Sequence, residues 1–230
     1  MKPTIENLYD LSQFEHRTIF DGMVFPWEVL SLIEQYILSH AANVASDVAS
    51  DVSAAAHIGP NVVIGKNVTI EHGVVIKGPA IIGDNVTLRA NAYIRENVII
   101  GAGSVIGNSC EVKNSIVMNG AQIPHFNYVG DSVVGNDAHL SGGAALSNTT
   151  MFGKDVVIRD DEGGEYATGL LKCGAFVGDG AQLGANVVVA PGVAIGKGSI
   201  VYPLAFIRDM IPERSIIKIR HTIEVTPIIE

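Results

Sequence analysis

The sequence predicts an all-β parallel β-helix, a solenoid of short strands, with a short helical segment at its N-terminal end. Three observations lead to this prediction. An aliphatic residue recurs at every sixth position, a turn-forming residue follows it three positions later, and a small or β-branched residue comes next. A short fixed period is typical of stacked repeats that bury one continuous core. An α-helix would give a period near 3.6 and an amphipathic strand a period of two, so neither explains the pattern.

The six-residue period occupies most of the chain in two blocks. We expect its aliphatic side chains to point inwards, because stacked repeats are stable only when neighbouring units bury a shared core. These positions are Ile58, Ile64, Ile70, Ile76, Ile82, Leu88, Ile94, Ile100, Ile106, Val112 and Met118, followed by Val177, Leu183, Val189, Ile195, Val201 and Ile207.

Each unit also carries a residue suited to a sharp corner. Asn and Gly tolerate the left-handed backbone region that most residues avoid, so the chain is predicted to alternate short flat strands with tight turns. The turn positions are Asn61, Asn67, Gly73, Pro79, Asn85, Asn91, Asn97, Gly103 and Ser109. The small or β-branched positions that follow are Val62, Val68, Val74, Ala80, Val86, Ala92, Val98, Ser104 and Cys110.

Composition excludes several classes of function. The 230 residues carry a net charge of −9, from 15 basic and 24 acidic residues, which argues against nucleic acid or an anionic membrane as the main partner. Cys110 and Cys173 belong to no close-spaced metal or redox motif, so we expect both to be buried as small apolar residues. Neither a signal peptide nor a membrane-spanning run is evident, and we expect a cytoplasmic protein.

The chain divides into three predicted segments: an N-terminal helical cap over residues 1–43, the β-helix over 44–210 and an extended arm over 211–230. Pro26 can begin a helix, and apolar residues follow it at helical spacing. We therefore expect a helix over residues 26–41 that caps the first coil, where strand edges would otherwise be unpaired. Residues 214–229 are rich in Ile and Val, and we expect them to pack along the solenoid or a neighbouring subunit.

The period breaks after Met118, where the steps become five, six, five, six and six before the pattern lapses until Val177. Loops on a rigid scaffold carry function more often than the scaffold does. A structural alternative is that residues 147–172 form a surface excursion and that His125 only satisfies a backbone carbonyl. The irregular part contains the run Ile123-Pro-His125-Phe-Asn-Tyr128-Val-Gly-Asp131, followed by Asn148 and Lys154.

This run resembles the active-site segment of the acetyltransferase domain of the two-domain enzymes that make UDP-N-acetylglucosamine, the archaeal type above all. The six-residue unit likewise resembles that of the hexapeptide-repeat acyltransferases to which that domain belongs. The likeness covers residues 80–208, including Lys172-Cys-Gly-Ala-Phe-Val-Gly178. It implies a left-handed β-helix with three units per triangular coil, a homotrimer, and acetyl-CoA as co-substrate without a metal.

The resemblance also implies roles for individual residues. His125 would be the general base for a sugar amine that attacks the thioester, and an imidazole with its ordinary pKa near 6.5 suits that role. Glucosamine 1-phosphate is the first candidate for the amino-sugar phosphate. Tyr128 would hold the sugar or its phosphate, while Asn148 and Lys154 would orient the substrate and stabilise negative charge.

The same resemblance indicates where coenzyme A would bind. Backbone N–H groups near Gly142 and Gly143 are candidate donors to the developing oxyanion. The adenine nucleotide end would lie between neighbouring solenoids near Asp179 and Lys197.

With three units per coil, residues eighteen apart stack, and Lys77, Arg95 and Lys113 form a basic column. Stacked like charges cost stability unless an anion lies among them. Two interpretations follow: a solvated ladder, which we favour for Lys77, or an anion site. The resemblance places the sugar phosphate at Arg95 and Lys113, and an Arg–Lys pair suits a phosphate.

Departures from the family pattern leave the substrate open. His139 stands where the family usually has an asparagine, and we count it with the substrate-binding residues; Thr149 replaces a tyrosine of the bacterial members. The chain shows no nucleotidyltransferase motif, so we expect a separate protein to supply uridylyl transfer.

Two other functions remain open. A non-catalytic sugar-nucleotide-binding or regulatory β-helix is one. A zinc enzyme is the other, and it would need three converging histidines. His57, His72, His125 and His139 are the candidates, and we expect His57 and His72 to be surface residues.

Overall fold

The computed structural model describes residues 1–42, 51–220 and 225–228. Most of the chain forms a three-sided parallel β-helix in which each coil contributes one short strand to each of three sheets. The predicted boundary at residues 43–44 and part of the predicted C-terminal arm lie outside the described residues. In the described part of the chain, no helix has the length and apolar character needed to cross a bilayer.

The three sheets contain nine, eight and seven parallel strands. Sheet 1 contains Asp51–Val52, Thr69–Ile70, Thr87–Leu88, Val105–Asn108, Gln122–His125, His139–Leu140, Gln182–Leu183, Ile200–Val201 and Ile216–Ile217. Sheet 2 contains His57–Ile58, Val75–Ile76, Tyr93–Ile94, Glu111–Lys113, Tyr128–Gly130, Ala145–Leu146, Val188–Val189 and Phe206–Ile207. Sheet 3 contains Val62–Ile64, Ala80–Ile82, Val98–Ile100, Ser115–Val117, Val133–Val134, Phe176–Val177 and Ala194–Ile195.

The predicted inward aliphatic residues form the core of the β-helix, which confirms the repeat. The prediction is wrong at both ends of its first block. Ile58 lies on the edge strand of sheet 2 and is exposed. Met118 points outwards, and Val117 takes the inward position beside Ile100 because the preceding unit is one residue short.

The corners have the predicted backbone geometry, since the turn residues Asn61, Asn67, Asn85, Asn91 and others adopt positive φ values. The exception is Pro79, whose ring fixes φ at a negative value. Gly78 takes the left-handed conformation in that unit, with φ of 74°. Cys110 and Cys173 are buried, as expected for both.

The N-terminal segment contains the helices α1 (Ile5–Leu8) and α2 (Ile33–Ala41) and two 3₁₀ turns, Arg17–Phe20 and Pro26–Ser31. The predicted single helix over residues 26–41 is therefore two pieces, which meet at Leu32 with φ of −104° and ψ of −12°.

We expected this segment to cap the first coil, and that prediction is wrong. The segment packs on the outer face of sheet 3 instead. The reason is that sheet 3 carries apolar side chains on both faces, and parallel strands buried on both sides read as continuous apolar runs. Its outward residues Val63, Ile81, Ile99, Ile116 and Val133 are buried against a group that includes Leu8, Trp27, Leu30, Ile33 and Ile37.

The β-helix continues past the predicted boundary at residue 210. Ile211 forms a parallel bridge with Ile195, and Ile216–Ile217 pairs with Ile200–Val201 as the last strand of sheet 1. The first part of the predicted arm is thus solenoid, because Ile211 and Ile217 pack against the core. Farther along, Val225 and Ile228 are exposed on the single chain.

Candidate functional site

Two consecutive coils are one residue short at the same corner, between sheet 2 and sheet 3. Ile100 pairs with Val117 and Val117 with Val134, so each partner lies seventeen residues on rather than eighteen. The shortened turns pass through Asn114 and Asp131, which adopt left-handed φ values of 44° and 48°. Asn and Asp tolerate this conformation better than most residues. The irregular steps seen in the sequence are therefore two tight turns stacked on each other.

The excursion from the solenoid leaves at that corner too. The chain departs after Ala145–Leu146 of sheet 2 and returns at Phe176–Val177 of sheet 3, so residues 147–172 do leave the solenoid, as in the first part of the structural alternative. Within it, Val157–Arg159 and Glu165–Ala167 form an antiparallel pair. The ring of Tyr166 packs against Phe25 at 5.1 Å between centroids, so the excursion rests on the N-terminal segment.

A polar cluster of Lys113, Tyr128, Asp131 and Asn148 occupies the shortened corner. Asp131 is its centre and is only 3% exposed. Its Oδ2 lies 3.1 Å from the Nζ of Lys113 and also accepts a hydrogen bond from the amide of Asn148. Its Oδ1 accepts a bond of 2.9 Å from the side chain of Asn114. A buried carboxylate is tolerated only with such charge and hydrogen-bond partners.

Tyr128 is held with its hydroxyl proton available. The Nδ2 of Asn148 donates to the Tyr128 oxygen at 3.1 Å, so the hydroxyl is an acceptor inside the cluster. Burial, followed by the charge of Asp131, raises the pKa of Tyr128 above its usual value. The phenol therefore stays protonated at neutral pH and can donate to a ligand.

The predicted basic column exists, but its anions are supplied by the chain itself. Lys77, Arg95 and Lys113 each follow strand residues that pair in sheet 2. Arg95 Nη1 lies 2.9 Å from an oxygen of Glu111, and Lys113 is paired with Asp131. The repulsion between stacked cations is thus offset by interleaved carboxylates.

Lys77 does not simply belong to a solvated ladder, the interpretation that we favoured for it, because it has an ion-pair partner. Its ammonium lies 3.1 Å from an oxygen of Glu96 and 5.8 Å from the ring centroid of Tyr93. The other carboxylate oxygen of Glu96 lies 3.5 Å from the Nε of Arg95, so Glu96 forms an ion pair with both Lys77 and Arg95.

His125 ends a strand of sheet 1 and is exposed at the corner between sheets 1 and 2. It pairs with Asn108 on one side, and the Cβ position of Gly142 would lie 3.6 Å from its own Cβ on the other. Its ring makes no hydrogen bond to any residue that the structure describes, so the imidazole satisfies no backbone carbonyl within residues 1–42, 51–220 and 225–228.

The residue after His125 is strained. Phe126 adopts a left-handed φ of 53° and is 66% exposed, whereas most other units place Asn or Gly at this position. A bulky residue in this conformation costs about 1–2 kcal/mol. Strain of this kind concentrates at functional sites.

Only one of the two predicted oxyanion donors is available. The N–H of Gly143 donates to the carbonyl oxygen of His125 at 2.9 Å, so that donor is already used. The N–H of Gly142 has no acceptor among the described residues, and it lies beside His125. Of the two glycines, only Gly142 therefore remains a candidate donor to the oxyanion.

Lys154 and His139 are not brought to the polar cluster within one chain. Lys154 lies in an exposed turn held by bonds between its backbone and Thr150, and its ammonium has no hydrogen-bond or ion-pair partner in the described chain. His139 faces outwards on sheet 1 between Gln122 and Gln182 and lines a groove of about 240 Å³.

Asp179 and Lys197 lie at a third corner, between sheet 3 and sheet 1, and both hold the N-terminal segment. Asp179 accepts a bond of 2.6 Å from the N–H of Asp10, and Lys197 donates to the carbonyl of Glu6 at 3.0 Å. Burial raises the pKa of Asp179. Both side chains line a cleft of about 570 Å³ between this segment and the solenoid.

The candidate zinc ligands are scattered. His57 and His72 are surface residues, as expected. Over residues 1–42, 51–220 and 225–228, no three His, Cys, Asp or Glu side chains form a group that could hold a metal ion.

Sequence analysis missed two residues of this region. Asp131 was noted only as part of a motif, although it joins three other polar side chains. Asn127 was not singled out, and its buried amide bonds to the backbone of His125 at 3.0 Å. The sequence signal for Asn127 was its side-chain amide at the position after the turn, where other units carry a small or β-branched residue.

Comparisons with known proteins agree with this architecture. Residues 76–162 match the model of the GMPPB C-terminal domain, and residues 174–209 match that of the bacterial transferase hexapeptide, six repeats. A "Bifunctional protein GlmU" of Methanococcus maripaludis is 37% identical over 94% of this chain and 51% of its own length. A bifunctional sugar-1-phosphate nucleotidylyltransferase/acetyltransferase of Sulfurisphaera tokodaii is 40% identical over 44% of this chain and 25% of its own length.

A third relative, the putative uncharacterized acetyltransferase YaiX of Escherichia coli, is 39% identical over 66% of this chain and 65% of its own length. The chain thus spans about half the length of the GlmU protein and a quarter of the Sulfurisphaera protein.

The repeat, the three-sided solenoid and these matches place the chain in the class of hexapeptide-repeat parallel β-helix proteins. Within that class it is homologous to the C-terminal, acetyltransferase-like part of GlmU-type proteins.

Proposed function

We propose that this protein transfers an acetyl group from acetyl-CoA to the amine of an amino-sugar phosphate, with glucosamine 1-phosphate as the first candidate. The observation that carries the proposal is the arrangement at the irregular coils. One short strand, Tyr128–Gly130, separates the exposed His125 from the buried Asp131 and its polar partners. The names of the relatives, which include an acetyltransferase activity, support the same reaction class.

In the proposed reaction the amine nitrogen attacks the thioester carbonyl, an amide bond forms and the carbon–sulfur bond breaks. His125 accepts the proton that the amine loses, and the thiolate of coenzyme A leaves and is protonated. The free N–H of Gly142 would donate to the oxygen that becomes negative during the attack. No covalent enzyme intermediate is required, because an amine is itself a good nucleophile.

The polar cluster would hold the sugar. The hydroxyl of Tyr128 has a proton to donate, and Asn148 lies beside it at 3.1 Å. Arg95 and Lys113 would hold the phosphate by charge-assisted hydrogen bonds. The phosphate would then take the place of Glu111 as the partner of Arg95, whose side chain is 32% exposed.

The proposal includes a homotrimer, with a separate nucleotidyltransferase for the uridylyl step. Lys154, His139, Asp179 and Lys197 contact none of the cluster within one chain, so their proposed roles depend on a neighbouring copy. Light scattering coupled to size exclusion should give three times the chain mass of 24.3 kDa. A monomer at assay concentration would contradict this part of the proposal.

Release of the coenzyme A thiol tests the activity. We expect release with acetyl-CoA and glucosamine 1-phosphate, and its loss in His125→Ala with an unchanged melting temperature. His57→Ala is the matched control, since His57 is an exposed histidine on the edge strand of sheet 2. Full activity in His125→Ala would contradict the assignment of His125 as the general base.

A second candidate is a non-catalytic module that binds a sugar nucleotide. This candidate rests on Arg95, Tyr128, Asp131 and Asn148, which all lie in the stretch that matches the GMPPB C-terminal domain and could hold a sugar nucleotide without His125 acting as a base. Calorimetry with sugar nucleotides separates the two candidates. Binding without thiol release for any amino-sugar phosphate would favour the module.

A further inference from the structure

Asn127 occupies an unusual position inside the solenoid. It fills the inward slot after the turn, where the coils on either side carry Cys110 and Ala144. Elsewhere along the β-helix this slot holds Val, Ala or Ser. Asn127 is nevertheless 2% exposed, so a full amide is buried in a row of small side chains. Burial of an amide is costly unless its hydrogen bonds are made.

The hydrogen bonds of Asn127 are made, and they point towards His125. Its Oδ1 accepts from the backbone N–H of His125 at 3.0 Å. Its Nδ2 donates to the carbonyl of Ser141 at 2.7 Å. The same Oδ1 accepts a longer bond of 3.4 Å from the thiol of Cys110. The amide therefore joins the coil of His125 to the coils before and after it.

The turn beside Asn127 explains why the amide is inside. Most units place Asn or Gly at the left-handed turn position, but here Phe126 takes that position with φ of 53°. The asparagine comes one residue later and reaches back to the residue before the turn. It thereby holds a corner that Phe126 alone would strain.

We infer that Asn127 is a positioning residue for His125. It fixes the backbone N–H of His125 and the carbonyl that immediately precedes Gly142, so the imidazole and the proposed oxyanion donor keep one relative placement. Asn127 is buried and does not touch substrate. This inference deepens the proposed function and rests on it.

A positioning residue should affect turnover more than binding, because a misplacement of about 1 Å can cost roughly 10²-fold in rate. We therefore expect Asn127→Ala to lower kcat by about tenfold or more, with KM for both substrates within about twofold. Asn127→Ser keeps a hydroxyl that can accept and donate, so it should recover part of kcat. Steady-state kinetics and the melting temperature are measured for each variant.

Ser199→Ala is the matched control. Ser199 fills the same inward slot in a later coil and also bridges backbone groups, donating to the carbonyl of Pro212 at 2.7 Å and accepting from the N–H of Ser215 at 3.0 Å. It lies at the corner between sheets 3 and 1, away from His125. We expect it to lower the melting temperature while kcat stays at the wild-type value.

The outcomes separate the inference from the proposed function. If wild type and Asn127→Ala turn over equally while His125→Ala is inactive, the inference is overturned and the function stands. A kcat loss in Ser199→Ala equal to that in Asn127→Ala overturns the inference too, because a general loss of rigidity would explain both. If wild type releases no thiol, or His125→Ala keeps its activity, the proposed function and the inference fall together.

Discussion

The ammonium of Lys113 lies 3.1 Å from the Oδ2 of Asp131, and the two residues belong to consecutive coils at the shortened corner. Asp131 is 3% exposed, so this pair is screened by solvent far less than an ordinary surface pair. The same carboxylate binds Asn148, which in turn binds Tyr128. A single buried charge thus fixes the geometry of the proposed sugar site.

Asp131→Asn should destabilise the protein by about 2 kcal/mol, because it removes a charge-assisted bond and leaves the ammonium of Lys113 unpaired. Asn is chosen because it tolerates the left-handed φ at this position. Urea unfolding measures the change. Glu165→Gln is the control: its exposed pair with Arg159 should contribute less than about 1 kcal/mol. Equal losses of the free energy of unfolding in the two variants would contradict the claim that the buried pair of Asp131 contributes more than an exposed pair.

Glu111→Gln should lower KM for the amino-sugar phosphate by about threefold, since it removes the ion pair of Glu111 with Arg95, whose side chains are 36% and 32% exposed and whose pairing is worth less than about 1 kcal/mol. KM for the unphosphorylated amino sugar should not change, which makes that sugar the internal control. A higher KM for the phosphorylated sugar would show that Glu111 itself contacts substrate.

The stability of the N-terminal segment should depend on pH through His16. Burial, followed by the nearby His40, lowers the pKa of His16 from 6.5 to about 4. The unfolded chain therefore takes up a proton below about pH 6.5 while the folded chain does not until about pH 4. The contribution of neutral His16 to the free energy of unfolding is complete above pH 6.5. It falls by on the order of 3 kcal/mol as the pH drops towards 4.

Melting temperatures between pH 7.5 and 4 measure this effect. His16→Phe should flatten the profile, because phenylalanine has no proton to gain and fits beside Phe14, whose ring lies 5.8 Å from that of His16. A profile equally steep in this variant would assign the pH dependence to other groups.

Phe126→Asn should raise the free energy of unfolding by about 1 kcal/mol, because asparagine tolerates the left-handed φ of 53° and little apolar area is lost. Leu204→Asn is the matched control, since Leu204 is also exposed and left-handed with φ of 65°. We expect both variants to gain stability and only Phe126→Asn to change kcat. A loss of stability at residue 126 would mean that Phe126 makes contacts that outweigh its strain.

The solenoid could be predicted from the sequence because its strands, corners and core repeat within six residues. The register could not be predicted through the irregular units. Val117 and Met118 are both apolar, and only the pairing of Val117 with Ile100 decides which one points inwards. The sequence signal for the face that the N-terminal segment covers is the set of apolar triplets in sheet 3, such as Ile81 between Ala80 and Ile82.

The broken period predicted where the candidate site lies, but only some of the residues that form it. His125, Tyr128 and Asn148 lie at the irregular coils, as expected from the broken period. Asp131 and Asn127 were missed, because their importance depends on contacts with residues of neighbouring coils that no local pattern contains. The charges of Glu96 and Glu111 were missed for the same reason: each meets the basic column only after the coils stack.

The N-terminal segment and the excursion together cover the outer face of sheet 3, from Val63 to Ala194. Among the described residues, the outward side chains of sheets 1 and 2, such as Gln182 and His57, stay partly or fully exposed, and these two faces meet along the edge that carries His125. A second subunit that packs on either face would lie next to that edge. In the proposed trimer, the border between subunits and the proposed reaction would therefore share one edge of the solenoid.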